Sequence, residues 1–116
     1  MALPLTVFKT IPADAPAVAT QIYRAPVGYN AIILTAQAVN TNFALPFTFS
    51  MSIQGTRDGT PFNQFVIAYY SIPSREVLIA SGGTAGKLVL QTGDSLWIAG
   101  ESTELKFTLS VLETLV

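Results

Sequence analysis

From Phe47 to Gln54 the chain alternates without a break, Phe47, Phe49, Met51 and Ile53 on one side and Thr48, Ser50, Ser52 and Gln54 on the other. A strict period of two describes a half-buried antiparallel strand and is incompatible with an amphipathic helix. Strand-length apolar runs bounded by Gly, Pro, Asn or Ser recur along the whole sequence, and no segment carries a helical period long enough to matter. The chain therefore reads as all-β: a single-domain antiparallel β-sandwich of about eight or nine short strands, with a jelly roll among the arrangements that fit the spacing. Strand order is not contained in a periodicity.

The best-defined pair of runs spans Gln21 to Asn40, where the strand before Arg24 meets the strand Ala31–Val39 across a tight turn at Ala25-Pro26-Val27-Gly28. Parity puts Val18, Thr20 and Ile22 opposite Ala19, Gln21 and Tyr23, and Ile32, Leu34, Ala36 and Ala38 opposite Ile33, Thr35 and Gln37. Asp58-Gly59 suits a turn with positive φ. Phe62 to Tyr70 is apolar on both faces, so both are covered within the fold or one is an interface. Short strands follow at Glu76–Ala80, Lys87–Gln91 and Ser95–Ala99, the last with Trp97 pointing outward. Ser81 to Gly86 is a flexible loop. The last run places Leu105, Phe107, Leu109 and Val111 inward. Residues 1–17 hold Pro4, Pro12 and Pro16, a density that permits an extended arm or an edge strand but not a central one, and residues 18–116 form the sandwich.

Composition narrows the function. Half of the 116 residues are hydrophobic and only 11% are Asp, Glu, Lys or Arg, against about a quarter in ordinary soluble domains. So few charges leave part of a small domain's surface poorly solvated, which points to association with copies of itself or with a larger assembly. The net charge is −1, without a basic run, so binding to nucleic acid through phosphate neutralisation is not expected. No run approaches the roughly 18 apolar residues of a membrane span. Met1-Ala2-Leu3-Pro4 lacks the basic start of a signal peptide, and synthesis in a cytosol is expected.

Cysteine and histidine are both absent. Disulfides, thiolate chemistry and the commonest general base and metal ligand go with them. Asp58 and Asp94 sit where a short acidic side chain caps turn amides. Glu101 and Glu104 flank a loop with too few oxygens for calcium. Ser81 with Lys87 has nothing convergent to make it a nucleophile. Gly82 to Lys87 lacks the glycine spacing, the following Ser or Thr and the helix of a phosphate loop. No catalytic residue, cofactor or metal site is expected, and the chain is not expected to be an enzyme. Its candidate contact residues are interfacial: Phe8, Phe43, Arg57, Phe62, Tyr69, Tyr70, Arg75 and Trp97, chosen because outward aromatics and arginines favour protein contacts, with stacking on carbohydrate as the alternative.

Ile22-Tyr23-Arg24-Ala25-Pro26-Val27-Gly28, Gly93-Asp94-Ser95-Leu96 and Ser110-Val111-Leu112-Glu113 resemble small virion structural proteins of tailed bacteriophages, cyanophage-type proteins above all. Their pattern has a Tyr-x-x-Pro-x-Gly hairpin, a Gly-Asp-x-Leu hairpin and a terminal Ser-x-Leu-Glu strand. The resemblance covers about half the chain and is weakest from Phe43 to Tyr70. It implies a sandwich that decorates or cements a capsid from outside, commonly as a homotrimer on the major capsid protein, or that sits on the neck, tail or baseplate. A carbohydrate-binding module is the reading from another class.

Overall fold

A computed structural model describes residues 6–82 and 86–116. Among them are nine strands: β1 (Thr6–Asp14), β2 (Thr20–Arg24), β3 (Tyr29–Asn40), β4 (Phe47–Arg57), β5 (Thr60–Ile72), β6 (Val77–Ser81), β7 (Leu88–Leu90), β8 (Ser95–Gly100) and β9 (Leu105–Leu115). They form two antiparallel sheets. One has the order β1-β9-β3-β6, with β7 also on β3, and the other the order β2-β8-β4-β5. β7 pairs with Ala31–Ile33 and β6 with Ala36–Val39, so the two share one strand position along β3.

The order has a simple origin. β4 pairs with β5, β3 with β6 and β7, β2 with β8, and β1 with β9, so the chain is one long antiparallel ribbon closed at its tip by Asp58-Gly59 and then rolled into two layers. This is the jelly roll. Both tip residues have positive φ, as a two-residue hairpin turn of the I′ kind requires.

The ribbon folds over at three places, and at each the two chains turn together. Ala15 N–H donates to Leu105 O (2.9 Å) and Gly100 N–H to Pro16 O (2.8 Å) where β1 leads to β2 beside the β8–β9 connection. Ala25 N–H donates to Asp94 O (2.9 Å) and Gly93 N–H to Ala25 O (3.0 Å) at the second fold. At the third, Asn40 N–H donates to Glu76 O, and the buried Asn40 amide donates to Leu45 O and Ile72 O.

The second fold corrects the expected hairpins. Gln21–Asn40 is not a strand pair, because β2 and β3 lie in opposite sheets, and the Gly93-Asp94 turn also crosses between sheets from β7 to β8. Each corner is a turn closed i to i+3, Tyr29 N–H to Pro26 O and Asp94 N–H to Gln91 O, with a glycine at positive φ in third place. A tight turn between two strands has the same local signature whether the strands pair or cross a core.

Bulges produce the other departures. Leu34 is an extra residue in β3, between the pairs Ile33 with Val111 and Thr35 with Ser110. The buried set is therefore Ala31 and Ile33, then Ala36, Ala38 and Asn40, and not one unbroken face. In β2 the register shifts between Gln21 and Tyr23, which leaves Tyr23 buried. β5 holds two extra residues against β4, so its expected alternation breaks: Phe65, Tyr69 and Tyr70 stay exposed while Val66 and Ile67 pack partly against the core. β9 runs inward past Val111 to Glu113. Of the expectation for residues 1–17, residues 1–5 lie outside the described residues; Thr6–Asp14 pairs with β9 along its whole length at a sheet edge. Residues 83–85 of the expected loop also lie outside.

The core lies between the sheets. Phe49, Met51, Leu96 and Ile98 face Ile33, Leu105, Phe107, Leu109 and Val111, and the Phe49 and Phe107 rings stack with centroids 5.7 Å apart. Each such side chain contributes about 1.5–3 kcal/mol by leaving water. One end is closed by polar groups: the Tyr23 hydroxyl donates to Glu113 Oε2 (2.5 Å) across the sheets, and Lys9 Nζ reaches Glu113 Oε1 (3.1 Å). Burial, then the hydrogen bond to Glu113 and its charge, pushes the Tyr23 phenol well above its ordinary value.

Two glycines test this account differently. A Cβ at Gly55 would collide with Asp94 Oδ1 and come within 2.9 Å of the Phe62 ring, whereas one at Gly93 meets nothing but sits at φ +85°. In urea denaturation Gly55→Ala is expected to cost about 1–3 kcal/mol through overpacking, and Gly93→Ala about 1–2 kcal/mol through backbone strain alone.

Candidate functional site

The eight candidate contact residues fall into four places. At the ribbon tip, the Arg57 guanidinium lies 4.9 Å from the Phe62 ring centroid and forms a two-pronged ion pair with Asp94, 2.9 Å from Nη1 to Oδ1 and 2.6 Å from Nη2 to Oδ2. Asp94 also accepts from Gln91 N–H and is buried, so this cluster is a clamp between the tip hairpin and the second corner. A 440 Å³ depression between Arg24, Gln54 and Phe62 adjoins it, but its buried carboxylate is already engaged. At the third corner Arg75 stands 5.7 Å from the exposed Phe43 ring, with Arg75 at φ +60° in a turn closed by Glu76 N–H on Pro73 O.

Tyr69 and Trp97 meet across the outer face of the β2-β8-β4-β5 sheet. Between them is a cleft of 220 Å³ with Ser50, Ser52 and Ala99 at its base and Phe65, Tyr69 and Trp97 around it. Ala17 and Ala19, from the β1–β2 connection, complete the lining. A second depression of 270 Å³ shares Ala17, Ser50, Tyr69 and Ala99 with it and extends to Thr48 and Glu101. Three features hold the aromatic rings in place. Trp97 Nε1–H donates to Ser95 Oγ (2.8 Å) on its own strand, Phe65 and Tyr69 are in ring contact at 5.7 Å, and Tyr69 N–H donates to Ser50 Oγ (2.9 Å). Tyr69 sits at φ +50°, a conformation costly for a bulky residue, and the residue as a whole is 72% exposed. Tyr70 lies beside it on β5, opposite Phe49.

Phe8 stands apart on the other sheet. It pairs with Leu112, Leu112 with Ile32, and Ile32 with Val89, so the four make one apolar row across β1, β9, β3 and β7. Residues directly opposite share a face, and Phe8 and Val89 are exposed. Farther along the face, Val39 pairs with Val77 and Gln37 with Ile79, and an exposed ion pair joins Asp14 and Lys106.

Sequence reasoning missed Ser50 and Ser52 as site residues. Alternation put them on the outer face correctly, yet each is only 7% exposed, because rings from β5 and β8 stand over them. It also missed Glu113, although the inward parity of Leu105 to Val111, carried one step further, reaches it. Among the described residues no three acidic side chains come close enough to hold a metal ion.

No protein-family model matches the chain, and no curated protein matches it. Solved structures do. A chain of the T13 particle of infectious bursal disease virus aligns with 97% of this chain and 31% of its own length, at 12% identity and a TM-score of 0.51. The corresponding figures are 95%, 32%, 12% and 0.48 for the Gt strain of that virus, and 96%, 88%, 17% and 0.42 for a disulfide-linked pilus of Bacillus endospore appendages. The chain thus spans about a third of the viral chains it matches and shares with the first the fold alone.

Electrostatics at the clamp give a pH prediction. The Arg57 guanidinium, and then the Gln91 amide, hold the Asp94 carboxyl below the usual range against the cost of its burial. A lowered folded value stabilises above the unfolded value of about 3.9 and is lost as pH falls through the folded value. Asp94→Asn is expected to cost about 2 kcal/mol at neutral pH, discounted for the half-exposed arginine. Denaturation midpoints measured from pH 6 downward should converge for the two proteins in acid.

Proposed function

We propose that this chain is a structural, non-catalytic protein of a virion, a decoration protein of a tailed-phage capsid that binds the major capsid protein from outside as a homotrimer. The observation that carries the proposal is the outer face of the β1-β9-β3-β6 sheet. Its row Phe8, Leu112, Ile32 and Val89 is apolar, Val39, Val77 and Ile79 lie farther along it beyond the uncharged Thr10, Ser110, Thr35 and Gln37, and among the described residues its one ion pair is at the margin. The jelly roll shared with a chain of a viral particle, the low overall charge and the sequence resemblance support the same reading.

The mechanism is mass action. A protein that binds only the assembled shell stabilises it by its binding free energy, repeated over many copies. The apolar row would lie against the shell and supply most of that energy by desolvation. The opposite sheet, with its aromatic cleft, would face outward.

Shells stripped of the protein should melt at a lower temperature and recover on adding it back. Phe8→Ser with Val89→Ser should abolish rebinding in a co-sedimentation assay, while Ser52→Ala rebinds normally. Gel densitometry against the major capsid protein separates a shell component, at hundreds of copies (an order-of-magnitude expectation for many-copy binding), from a neck or tail component at far fewer. An unchanged melt after complete removal would reject the decoration reading.

A further inference from the structure

The cleft on the β2-β8-β4-β5 sheet holds a polar group that the fold leaves unused. Ser52 is only 7% exposed and lines the cleft, and among the described residues its hydroxyl has no hydrogen-bond partner, so it is open to the cleft and not sealed in the core. Its register partners are Trp97 on β8 and Phe65 on β5, so it lies in one row between the two rings. Ser50 beside it accepts from Tyr69 N–H, and among the described residues no acceptor takes its own hydroxyl hydrogen. A nearly buried hydroxyl facing a cavity walled by rings is the environment of a ligand that offers hydrogen-bonding groups at its edge and C–H groups on its face.

We propose that this cleft binds an uncharged saccharide, with one pyranose ring lying against Trp97 and the Phe65–Tyr69 pair and one of its hydroxyls bonded to Ser52 Oγ. The chemistry separates this ligand from its rivals. An apolar side chain of a protein partner would fill the volume but leave the Ser52 hydroxyl desolvated and unpaired. An acidic sugar would find no cation in the lining and would approach Glu101, whose Oε1 accepts from Thr48 N–H in the adjoining depression. That hydrogen bond holds the Glu101 carboxyl below its usual range, so it is ionised at neutral pH. The strained backbone of Tyr69 then has a use, because it keeps an exposed ring at the rim of the cleft.

Trp97 is the only tryptophan and reports on the cleft directly. The full chain would be titrated with lactose, maltotriose, chitotriose and sialyllactose while indole emission is followed. The expected result is a saturable change with at least one of the three neutral sugars and a weaker one with sialyllactose. Ser52→Ala should weaken binding about fivefold, as loss of one neutral hydrogen bond does, with an unchanged melting temperature. Tyr69→Phe, which keeps the ring, should bind. No saturable response to any neutral sugar, or equal affinity in Ser52→Ala, would overturn the proposal. So would emission that tracks protein concentration instead of sugar, since the cleft would then be a contact between copies of the chain.

Discussion

The structure depends on the clasp at its second corner. There the ribbon crosses from one sheet to the other, and both of its chains turn at once, tied by Ala25 N–H on Asp94 O and Gly93 N–H on Ala25 O. Chain crossing between layers leaves the sheet ladder, so its amides need partners elsewhere. Each chain supplies them for the other. Thr92 extends the arrangement: its hydroxyl donates to Pro26 O and accepts from Gly28 N–H. The Asp94 side chain then joins this corner to the tip hairpin through Arg57, under a strand where only glycine at position 55 leaves room. The first and third folds are tied in the same way, by Ala15 N–H on Leu105 O and by Asn40 N–H on Glu76 O, but only the second is also joined to the ribbon tip.

The rolled ribbon also sets which surfaces are open. Its two outer strands by sequence, β1 and β9, pair at one side of the molecule, and its tip strands, β4 and β5, at the other. β5 is an edge strand of thirteen residues carrying Phe65, Tyr69 and Tyr70, a combination that invites uncontrolled pairing. Its two bulges counter that hazard by breaking the ladder, and Phe65 and Tyr69 line the cleft that forms on the β8 side. One local irregularity thus protects an edge and shapes a cavity. The opposite sheet has an outer face whose charges among the described strand residues are Asp14 and Lys106 at its margin. The two faces differ in chemistry: one carries the apolar row from Phe8 to Val89, the other an aromatic cleft with Ser50 and Ser52 at its base.

Much of this was legible in advance because period-two patterning is a local property. Phe49 and Met51, Leu96 and Ile98, and Leu105 through Val111 are inward where alternation placed them, and Trp97 is outward. The turns at Pro26-Val27-Gly28, Asp58-Gly59 and Gly93-Asp94 are where their residue types indicated. Errors arose where one residue was inserted. Leu34 reverses the faces of the second half of β3, and no residue type announces it. The two extra residues of β5 do the same, and Tyr69 at positive φ violates the preference that a sequence reader relies on. Of the candidate contacts, Tyr69 and Trp97 come together, whereas Phe8 lies on the other sheet and Arg57 is engaged in a clamp.

By itself, the sequence determined the class of structure: alternation, glycine and proline turns and scarce charge leave an antiparallel sandwich as the way to build a core from a chain whose residues are half hydrophobic. It also determined what chemistry is missing, since no histidine or cysteine is present. The tertiary structure alone decided which strands pair. Turns that close i to i+3 look alike from within, and only the distant partner chain makes one a hairpin and another a corner. It alone decided, too, that Ser52 is buried between Trp97 and Phe65, because those three residues are neighbours through register across β8, β4 and β5 and not along the chain.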